Sequence, residues 1–389
     1  MRKVIRPLAL LAILAIIVAA CSKNNPGTTG ATSNSTTGTT SGTTSAPTTG
    51  TTGGSTTGTS PTGPPAKVGM VYDIGGRGDK SFNDSAALGL DKAKKDFNIQ
   101  TAELQPNSGG TNRADLLSQL AGQGFQLIIG VGFLYAPSIG AAGTQFPDVD
   151  FANVDGAIDH TTCDTCKDET PDGNVASLLF AANEGAYLVG CAAALTSKTH
   201  NVGFIGGVNI ELINEFEAGF DAGVAKCDPN AKIQSQYISQ PPDFSGFNDP
   251  AKGQTIAQGM YQNGADVVYH AAGGSGAGLF AAAEAYSQQN NTHVWAIGTD
   301  SDQYLSAPKD QQPFILTSNL KRVDTSVYDT IKAFVNGQFK GGISTFNLAN
   351  DGVGYATSGG FVKDIEPQLN QLKQDIISGK IKVPTKVGG

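Results

Sequence analysis

The chain has 389 residues, and its net charge is −8 at neutral pH, with 26 basic and 34 acidic residues. This acidic balance excludes the attraction to phosphates on which nucleic-acid binding depends, and it also excludes a polybasic contact with anionic lipid. We therefore expect no nucleic-acid partner.

The first 21 residues have the pattern of an export signal. Arg2, Lys3 and Arg6 precede an apolar run, Leu8–Ala20. At about 13 residues this run is shorter than the roughly 20 that a membrane span needs. Small residues then lead into Cys21, as in a bacterial lipobox. We predict lipidation of Cys21 and a lipid-anchored location on the extracytoplasmic face of the cell membrane. An ordinary signal peptide, with Cys21 incidental, is the alternative.

The next segment, residues 22–65, consists almost entirely of Thr, Gly, Ser, Pro and Asn. Such a composition offers nothing to bury, so we predict a disordered stalk. A flexible chain of about 44 residues has a root-mean-square span of roughly 35 to 40 Å. The segment is therefore suited to holding a folded domain away from a surface.

Four cysteines follow the stalk, at positions 163, 166, 191 and 227. Four cysteines allow three pairings, and an exported protein favours their oxidation. We favour the disulfides Cys163–Cys166, in a polar loop, and Cys191–Cys227, between two predicted helices. A metal site that uses His160 with the loop cysteines is the alternative, but it lacks an identifiable fourth ligand.

The rest of the chain alternates short apolar runs with helical patterns, which predicts βαβ units and parallel sheets. Two such series predict two doubly wound lobes. A shorter third series predicts a chain that returns to complete both lobes through a multi-strand hinge. The predicted lobes comprise residues 66–182 with 318–340, and residues 183–317 with 341–389. The predicted strands are 68–72, 100–104, 125–131, 149–154, 175–181, 202–205, 233–238, 266–270, 294–297 and 314–319. The predicted helices are 81–97, 112–123, 184–196, 210–226, 249–262, 276–288 and 323–336.

Carboxylates follow three of the predicted strands, at Asp73, Asp155 and Asp300. Ligands of open α/β sheets bind beyond the carboxyl ends of the strands, so these side chains predict a polar cleft. A single aspartate in this position is equally typical of a turn or a helix cap. Lys321, after a predicted hinge strand, is placed to contact a ligand or to neutralise the aspartates.

Each half of the chain also has a phenylalanine at the start of a predicted helix, Phe82 and Phe247. Two rings from opposite lobes would sandwich a flat ligand. In the first half, Ser81 and Asp84 have the spacing of a capping box, so the alternative is that this segment serves only to cap the helix through Ser81, which would not explain Phe82. The glycine-rich segment 271–278 lacks a dinucleotide or P-loop pattern, and we interpret it as a close approach of the backbone to a ligand.

The sequence gives little support for catalysis. The four histidines lie in polar loops or at strand edges, and the chain lacks a metalloprotease helix and a nucleophile elbow. A hydrolase that uses Asp73, Asp155 or Asp300 is one alternative. The others are a binding protein for another small solute, such as a sugar or an autoinducer, and a surface protein without a transport role.

Seven motifs together resemble the basic membrane protein family of bacterial solute-binding lipoproteins, also called the purine nucleoside receptor family. They recur in the family's order along nearly the whole chain after the stalk. The motifs are Val68–Asp73, Asp79–Asn83, Phe151–Asp155, Phe216–Phe220, Gly273–Gly276, Ile297–Asp300 and Lys321–Asp324.

The resemblance implies a type I periplasmic-binding-protein fold that delivers nucleosides to an ABC importer. It implies that Asp73 and Asn83 hydrogen-bond the base, that Phe82 and Phe247 stack on it, and that Asp300 accepts both ribose hydroxyls. It also implies that Asp155 matches a binding position, and that Lys321 and the backbone of Gly274 to Gly276 lie beside the sugar. Two departures from the family are the Gly75–Gly78 loop, which contains Arg77, and the loop with Cys163 and Cys166.

The resulting prediction is a monomeric, non-enzymatic substrate-binding lipoprotein of an ABC importer, with purine nucleosides as ligands and no cofactor. Its expected partners are the ligand, the permease subunits and, through the lipid anchor, the membrane.

Overall fold

Two β-sheets form the framework of the protein. The computed structural model describes residues 64–158 and 173–388. Within these residues the chain forms twelve strands and ten α-helices. The strands are β1 (Ala66–Val71), β2 (Ile99–Leu104), β3 (Leu127–Val131), β4 (Asp150–Val154), β5 (Val175–Phe180), β6 (Asn201–Val208), β7 (Lys232–Ser239), β8 (Val267–Ala271), β9 (Trp295–Asp300), β10 (Ile315–Lys321), β11 (Gly342–Phe346) and β12 (Val353–Tyr355).

The helices flank these sheets in alternation with the strands. They are α1 (Phe82–Asp96), α2 (Arg113–Gly122), α3 (Ala136–Gln145), α4 (Ala182–Thr196), α5 (Glu211–Cys227), α6 (Pro250–Gln262), α7 (Gly276–Asn290), α8 (Gln303–Ser306), α9 (Val323–Val335) and α10 (Glu366–Ile377). Among the described residues, no helix combines the length and the apolar character that crossing a bilayer requires.

The first sheet has the strand order β11-β5-β4-β3-β1-β2, and the second has the order β12-β10-β9-β8-β6-β7. The described pairings are parallel except that between β10 and β12. Central strands such as β3, with the sequence LIIGV, are buried at every position. Continuous apolar runs of this kind are typical of parallel strands that are covered on both faces. Two doubly wound lobes in this arrangement confirm the predicted type I periplasmic-binding-protein fold.

The chain passes between the sheets at three connections: β5 to β6, β10 to β11, and β11 to β12. The predicted lobe boundaries are wrong at the last strands. Residues 318–321 belong to β10, which pairs with β9 in the second sheet, whereas β11 pairs with β5 in the first. The sequence pattern predicts that the chain returns, but it does not predict which sheet edge each short strand joins.

The predicted disulfide between Cys191 and Cys227 is confirmed, and it joins α4 to α5 with a Cα–Cα distance of 5.3 Å. The two helices pack together beside the second sheet, and residues of both belong to its apolar core. The predicted signal peptide with Cys21, the stalk up to residue 63, and Cys163 and Cys166 lie outside the described residues.

Candidate functional site

A cavity lies where the carboxyl ends of strands from both sheets meet. The first lobe lines it with residues that follow β1, β3 and β4 and with the start of α1. The second lobe lines it with α5, the segment before α6, and the ends of β8, β9 and β10. The lining residues are Asp73, Ile74, Asp79, Phe82, Asn83, Gly132, Phe133, Asp155, Leu212, Ile213, Phe216, Phe247, Ala271, Gly273, Thr299, Asp300 and Lys321. The structure thus brings together seven of the nine predicted ligand-binding residues.

The other two predicted residues, Gly274 and Gly276, are not among the lining residues; on this segment the cavity is lined by Ala271 and Gly273. Gly276 begins α7, where an added Cβ would lie 2.0 Å from the ring of His270. Gly276 therefore allows the start of α7 to pack closely against His270. This imidazole is fully buried, which lowers its pKa to about 4 and keeps it neutral.

Asp79 caps helix α1. Its carboxylate accepts hydrogen bonds from the backbone N–H groups of Ser81, Asn83 and Asp84, at 2.8 to 3.0 Å. The alternative in which the Ser81 side chain caps this helix does not hold, because that side chain makes no capping bond. The carboxylate of Asp84 instead accepts from the backbone N–H groups of Gly78 and Lys80. These bonds fix the first turn of α1, and with it the position of Phe82.

Asn83 lines the cavity, but its amide is engaged within the protein. The amide oxygen accepts from the backbone N–H of Asp73 at 2.9 Å. The amide nitrogen donates to Asp79 Oδ2 at 3.0 Å and to the carbonyl oxygen of Ile74 at 3.4 Å. Asn83 therefore positions Asp73 and Asp79, and its contact with a base stays a prediction.

Asp73 presents one carboxylate oxygen to its own lobe. Oδ1 accepts from the backbone N–H of Ile74 at 2.8 Å and from the guanidinium of Arg113 at 3.1 Å. Oδ2 lies against Gly132, where an added Cβ would be 2.1 Å away and where the φ angle is +108°. The pKa of Asp73 is raised, because burial outweighs the opposite effects of the Ile74 backbone N–H and of Arg113.

Lys321 is buried at the centre of the site and forms an ion pair with Asp155. Its ammonium also lies 5.0 Å from the ring centroid of Phe82, 5.1 Å from that of Phe180 and 5.4 Å from that of Phe216. Aromatic faces attract a cation at such distances. Lys321 therefore neutralises a buried carboxylate and joins rings of both lobes.

Asp300 ends β9 and faces α1 of the opposite lobe. Its Oδ2 accepts a hydrogen bond from the hydroxyl of Ser81 at 2.6 Å. Burial raises the pKa of Asp300 to about 6, and the charge of Lys321 and the bond from Ser81 oppose that shift. Near neutral pH the carboxylate is ionised and is an acceptor for ligand hydroxyls.

Phe216, Leu212 and Ile213 form an apolar wall that sequence reasoning did not assign to the site. They lie in the first two turns of α5, which follows the carboxyl end of β6. Helices that follow parallel strands begin at the cleft, so apolar residues in the first turns of α5 were the available signal. The same rule identified Phe82 at the start of α1.

A solved structure with a similar fold is the ABC transporter system solute-binding protein of Aeropyrum pernix K1. Its TM-score is 0.70 at 28% identity, and the alignment covers 83% of this chain and 95% of that chain. The fold and a cleft lined by both lobes define this protein as a solute-binding component of an ABC transporter, which binds a small molecule outside the cytoplasm and works with permease subunits. A component of this class is not an enzyme.

The family follows from the sequence comparisons. Residues 66–386 match the family described as ABC transporter substrate-binding protein PnrA-like, or Bmp. The ABC transporter nucleoside-binding protein BmpA of Lactococcus lactis is 38% identical over 332 residues, which cover 82% of this chain and 89% of that protein. An uncharacterized lipoprotein of Pyrococcus abyssi is 34% identical over 297 residues, covering 74% and 68% respectively. The chain belongs to the Bmp family.

Proposed function

We propose that this protein binds a purine nucleoside in the cavity between its lobes and delivers it to an ABC importer. The observation that carries the proposal is the pairing of two kinds of group across the cleft. Both lobes contribute phenylalanine rings, among them Phe82 and Phe247, and both contribute carboxylates at strand ends, among them Asp73 and Asp300. The relative from Lactococcus lactis is itself named a nucleoside-binding protein.

The two ends of a nucleoside match the two kinds of group. Phe82 and Phe247 stack on the faces of the base, and Asp73 Oδ2 accepts hydrogen bonds from its edge. Asp300 accepts the ribose hydroxyls, with Lys321 beside the sugar. Because Asp155 is paired with Lys321, it acts by holding that ammonium in place.

The test is isothermal titration of the chain that begins at residue 22 with guanosine, inosine, adenosine and, as competing solutes, arabinose and glucose. We expect micromolar or tighter binding of at least one purine nucleoside and none of the sugars. No binding to any nucleoside would refute the proposal. Mass spectrometry of ligand that co-purifies with the protein identifies a different solute in that case.

Replacing the second-lobe ring tests the stacking arrangement. Phe247→Ala is expected to weaken nucleoside binding by about 1–3 kcal/mol, the usual contribution of an aromatic ring stacked on a base. Phe361→Ala is the matched control, because Phe361 is a half-exposed second-lobe ring that packs against Trp295 and does not line the cavity. Equal affinities in the two variants would contradict the stacking role.

We also propose that Cys21 is lipidated and that residues 22–65 tether the binding domain to the membrane. The support is the lipobox-like sequence before Cys21, together with the name lipoprotein given to the relative from Pyrococcus abyssi. Metabolic labelling with a palmitate analogue is expected to mark the wild-type protein. Cys21→Ser is expected to lose the label and to leave the membrane fraction, and retention of the label would place the lipid elsewhere.

A further inference from the structure

Arg113 is a buried, positively charged residue at a helix N-terminus, where positive charge is unfavourable. It is the first residue of α2, where the backbone dipole of the helix disfavours positive charge. Only 9% of its surface is exposed. Its guanidinium donates to the carbonyl oxygen of Gly110 at 2.9 Å and to Asp73 Oδ1 at 3.1 Å, and it lies 5.4 Å from the ring centroid of Tyr135. Such a position needs a compensating interaction, and the compensating carboxylate belongs to the ligand cavity.

The loop before α2 is shaped around this guanidinium. At Gly110, which has a φ angle of +65°, an added Cβ would lie 2.1 Å from an Arg113 terminal nitrogen. Arg113 lines a second, polar groove outside the cavity, whereas Asp73 lines the cavity itself. The ion pair therefore forms part of the wall between the groove and the cavity.

The two hydrogen bonds that Asp73 accepts fix which oxygen a ligand meets. Both fall on Oδ1, from Arg113 and from the backbone of Ile74. Oδ2 lies over the bare backbone of Gly132, another residue of the cavity wall. A ligand therefore contacts Oδ2. The orientation of this carboxylate is fixed by Arg113 and Ile74, which bind its other oxygen.

We infer that Arg113 is a positioning residue that orients Asp73 and favours its ionised form, and thereby makes the site selective for 6-oxopurine nucleosides over 6-aminopurine nucleosides. The inference rests on the proposed function. An ionised carboxylate accepts hydrogen bonds and donates none. The N1–H of guanine or hypoxanthine satisfies it. At the same place adenine presents the lone pair of N1, which repels the carboxylate, so that adenine can donate only from the neighbouring N6 amino group and binds more weakly.

The charged and titratable groups around Asp73 come from three elements. Arg113 approaches from α2, the Tyr135 hydroxyl from the turn after β3, and the Asp155 carboxylate from the end of β4. Asp155 is paired with Lys321, and Tyr135 donates to the carbonyl oxygen of Tyr72 at 2.9 Å. Among these groups, Arg113 is the cation in direct contact with Asp73.

The decisive measurement is the ratio of the adenosine and guanosine dissociation constants between about pH 5.5 and about pH 8. Both ligands have the same ribose, so titration of Asp300 affects them equally and cancels in the ratio. In the wild type we expect a ratio above one at about pH 8, where Asp73 is ionised. Because burial raises the pKa of Asp73, the ratio is expected to fall as the pH decreases and the carboxyl becomes protonated. A wild-type ratio at or below one at about pH 8 would overturn the inference, and this test needs no variant.

Substitution of the arginine gives the second arm. Arg113→Met is expected to weaken guanosine binding by about ten- to a hundredfold, the effect of losing a hydrogen bond to a charged group. Without the arginine, the pKa of Asp73 is raised further, so the protonated carboxyl donates to adenine N1 at a higher pH than in the wild type. The ratio in this variant is therefore expected to begin to fall at a higher pH than in the wild type, whereas Arg113→Lys keeps the charge and the wild-type pH profile.

The controls separate the possible failures. Arg77→Met removes a half-exposed arginine that pairs with Asp91 and Glu103 and does not line the cavity, and it is expected to keep the wild-type ratio at every pH. If no nucleoside binds the wild type, the proposed function fails. If nucleosides bind and Arg113→Met retains the wild-type affinity and the wild-type pH profile of the ratio, the inference about Arg113 alone fails.

Discussion

The hydroxyl of Ser81, in the first lobe, donates a hydrogen bond to Asp300 Oδ2 of the second lobe across 2.6 Å. Other hydrogen bonds cross the same boundary. The Ser301 hydroxyl donates to the carbonyl oxygen of Ser81 at 3.1 Å, and the Gln303 amide nitrogen donates to that of Lys80 at 3.0 Å. The start of α1 is thus joined to the turn after β9, and one of the joined groups is a predicted ligand contact. Asp300 therefore bonds across the closed lobes and is also predicted to contact the ligand.

Ser81→Ala tests this coupling. The variant loses a buried donor to an ionised acceptor, which costs about 1–3 kcal/mol. Because the bond exists only when the lobes are together, we expect a smaller closed fraction and a correspondingly weaker nucleoside affinity. Titration calorimetry measures the affinity, and small-angle scattering of the unliganded chain is expected to show a larger radius of gyration.

Ser378→Ala is the matched control, because its exposed hydroxyl bonds only within its own helix end, to the carbonyl oxygen of Asp375. It is expected to match the wild type in both measurements. If Ser81→Ala also matches the wild type in affinity and in radius of gyration, the cross-lobe bond does not contribute to closure.

The pKa of Asp300 predicts how binding depends on pH. Burial raises this pKa to about 6, and the neighbouring charges are Lys321, Asp155 and Asp79. The ionised form accepts ligand hydroxyls, so the affinity is expected to be highest above about pH 7 and to fall about tenfold per pH unit below the pKa. The stability of the unliganded chain depends on pH in the opposite direction. A buried acid with a raised pKa stabilises the fold while it is protonated, and this contribution is lost as the pH rises through about 6.

Calorimetry at several pH values, with adenosine and guanosine in parallel, measures the binding profile. Asp300→Asn removes the titrating group and is expected to bind more weakly, with the pH dependence common to both ligands abolished. An unchanged pH profile in Asp300→Asn would assign the dependence to another group. Glu215 is the first to examine, because burial raises its pKa to about 7.

Periodicity and strand-end chemistry were sufficient to predict much of this molecule. Apolar runs alternating with helical patterns predict the two lobes, and the strand-end rule predicts that Asp73, Asp155 and Asp300 converge. What these rules could not predict depends on distances between segments far apart in sequence. Arg113 and Asp73 are 40 positions apart, and Lys321 and Asp155 are 166 positions apart. The capping role of Asp79 depends on the conformation of a glycine-rich loop, which the sequence pattern does not specify.

One signal in the sequence did indicate Arg113. An arginine in the first turn of the predicted helix 112–123 opposes the helix dipole, and such a residue is expected to have an acidic partner. The sequence alone gives no means to choose that partner among the chain's 34 acidic residues. In the folded protein the partner is Asp73, which lines the ligand cavity.

Lys321 and Asp155 form a buried ion pair, with 3% and 5% of their side chains exposed. Lys321→Met leaves Asp155 buried without its cation, which is expected to lower the free energy of unfolding by about 3–5 kcal/mol. The double variant Lys321→Met/Asp155→Asn removes the uncompensated charge, so it is expected to recover part of this loss. Urea denaturation measures all three proteins.

Lys373→Met is the control for this pair. Lys373 pairs with Asp351, whose side chain is 81% exposed. Pairs of this kind contribute about 0–1 kcal/mol. If Lys321→Met destabilises the protein no more than Lys373→Met does, the lysine at the centre of the site is not needed to hold Asp155.

The disulfide between Cys191 and Cys227 closes a loop with a sequence separation of 36 and joins α4 to α5. Restricting a loop of this length in the unfolded chain is expected to stabilise the fold by about 4 kcal/mol. The double variant Cys191→Ala/Cys227→Ala is expected to lose that amount in urea denaturation under oxidising conditions.

The reduced wild type keeps both sulfur atoms in place, so comparing it with the double variant separates the cross-link from the packing of Cys191. Adding reductant to the double variant measures any contribution from the remaining cysteines. If the oxidised wild type and the double variant unfold at the same urea concentration, α4 and α5 are held together by their packed faces and the disulfide adds no stability.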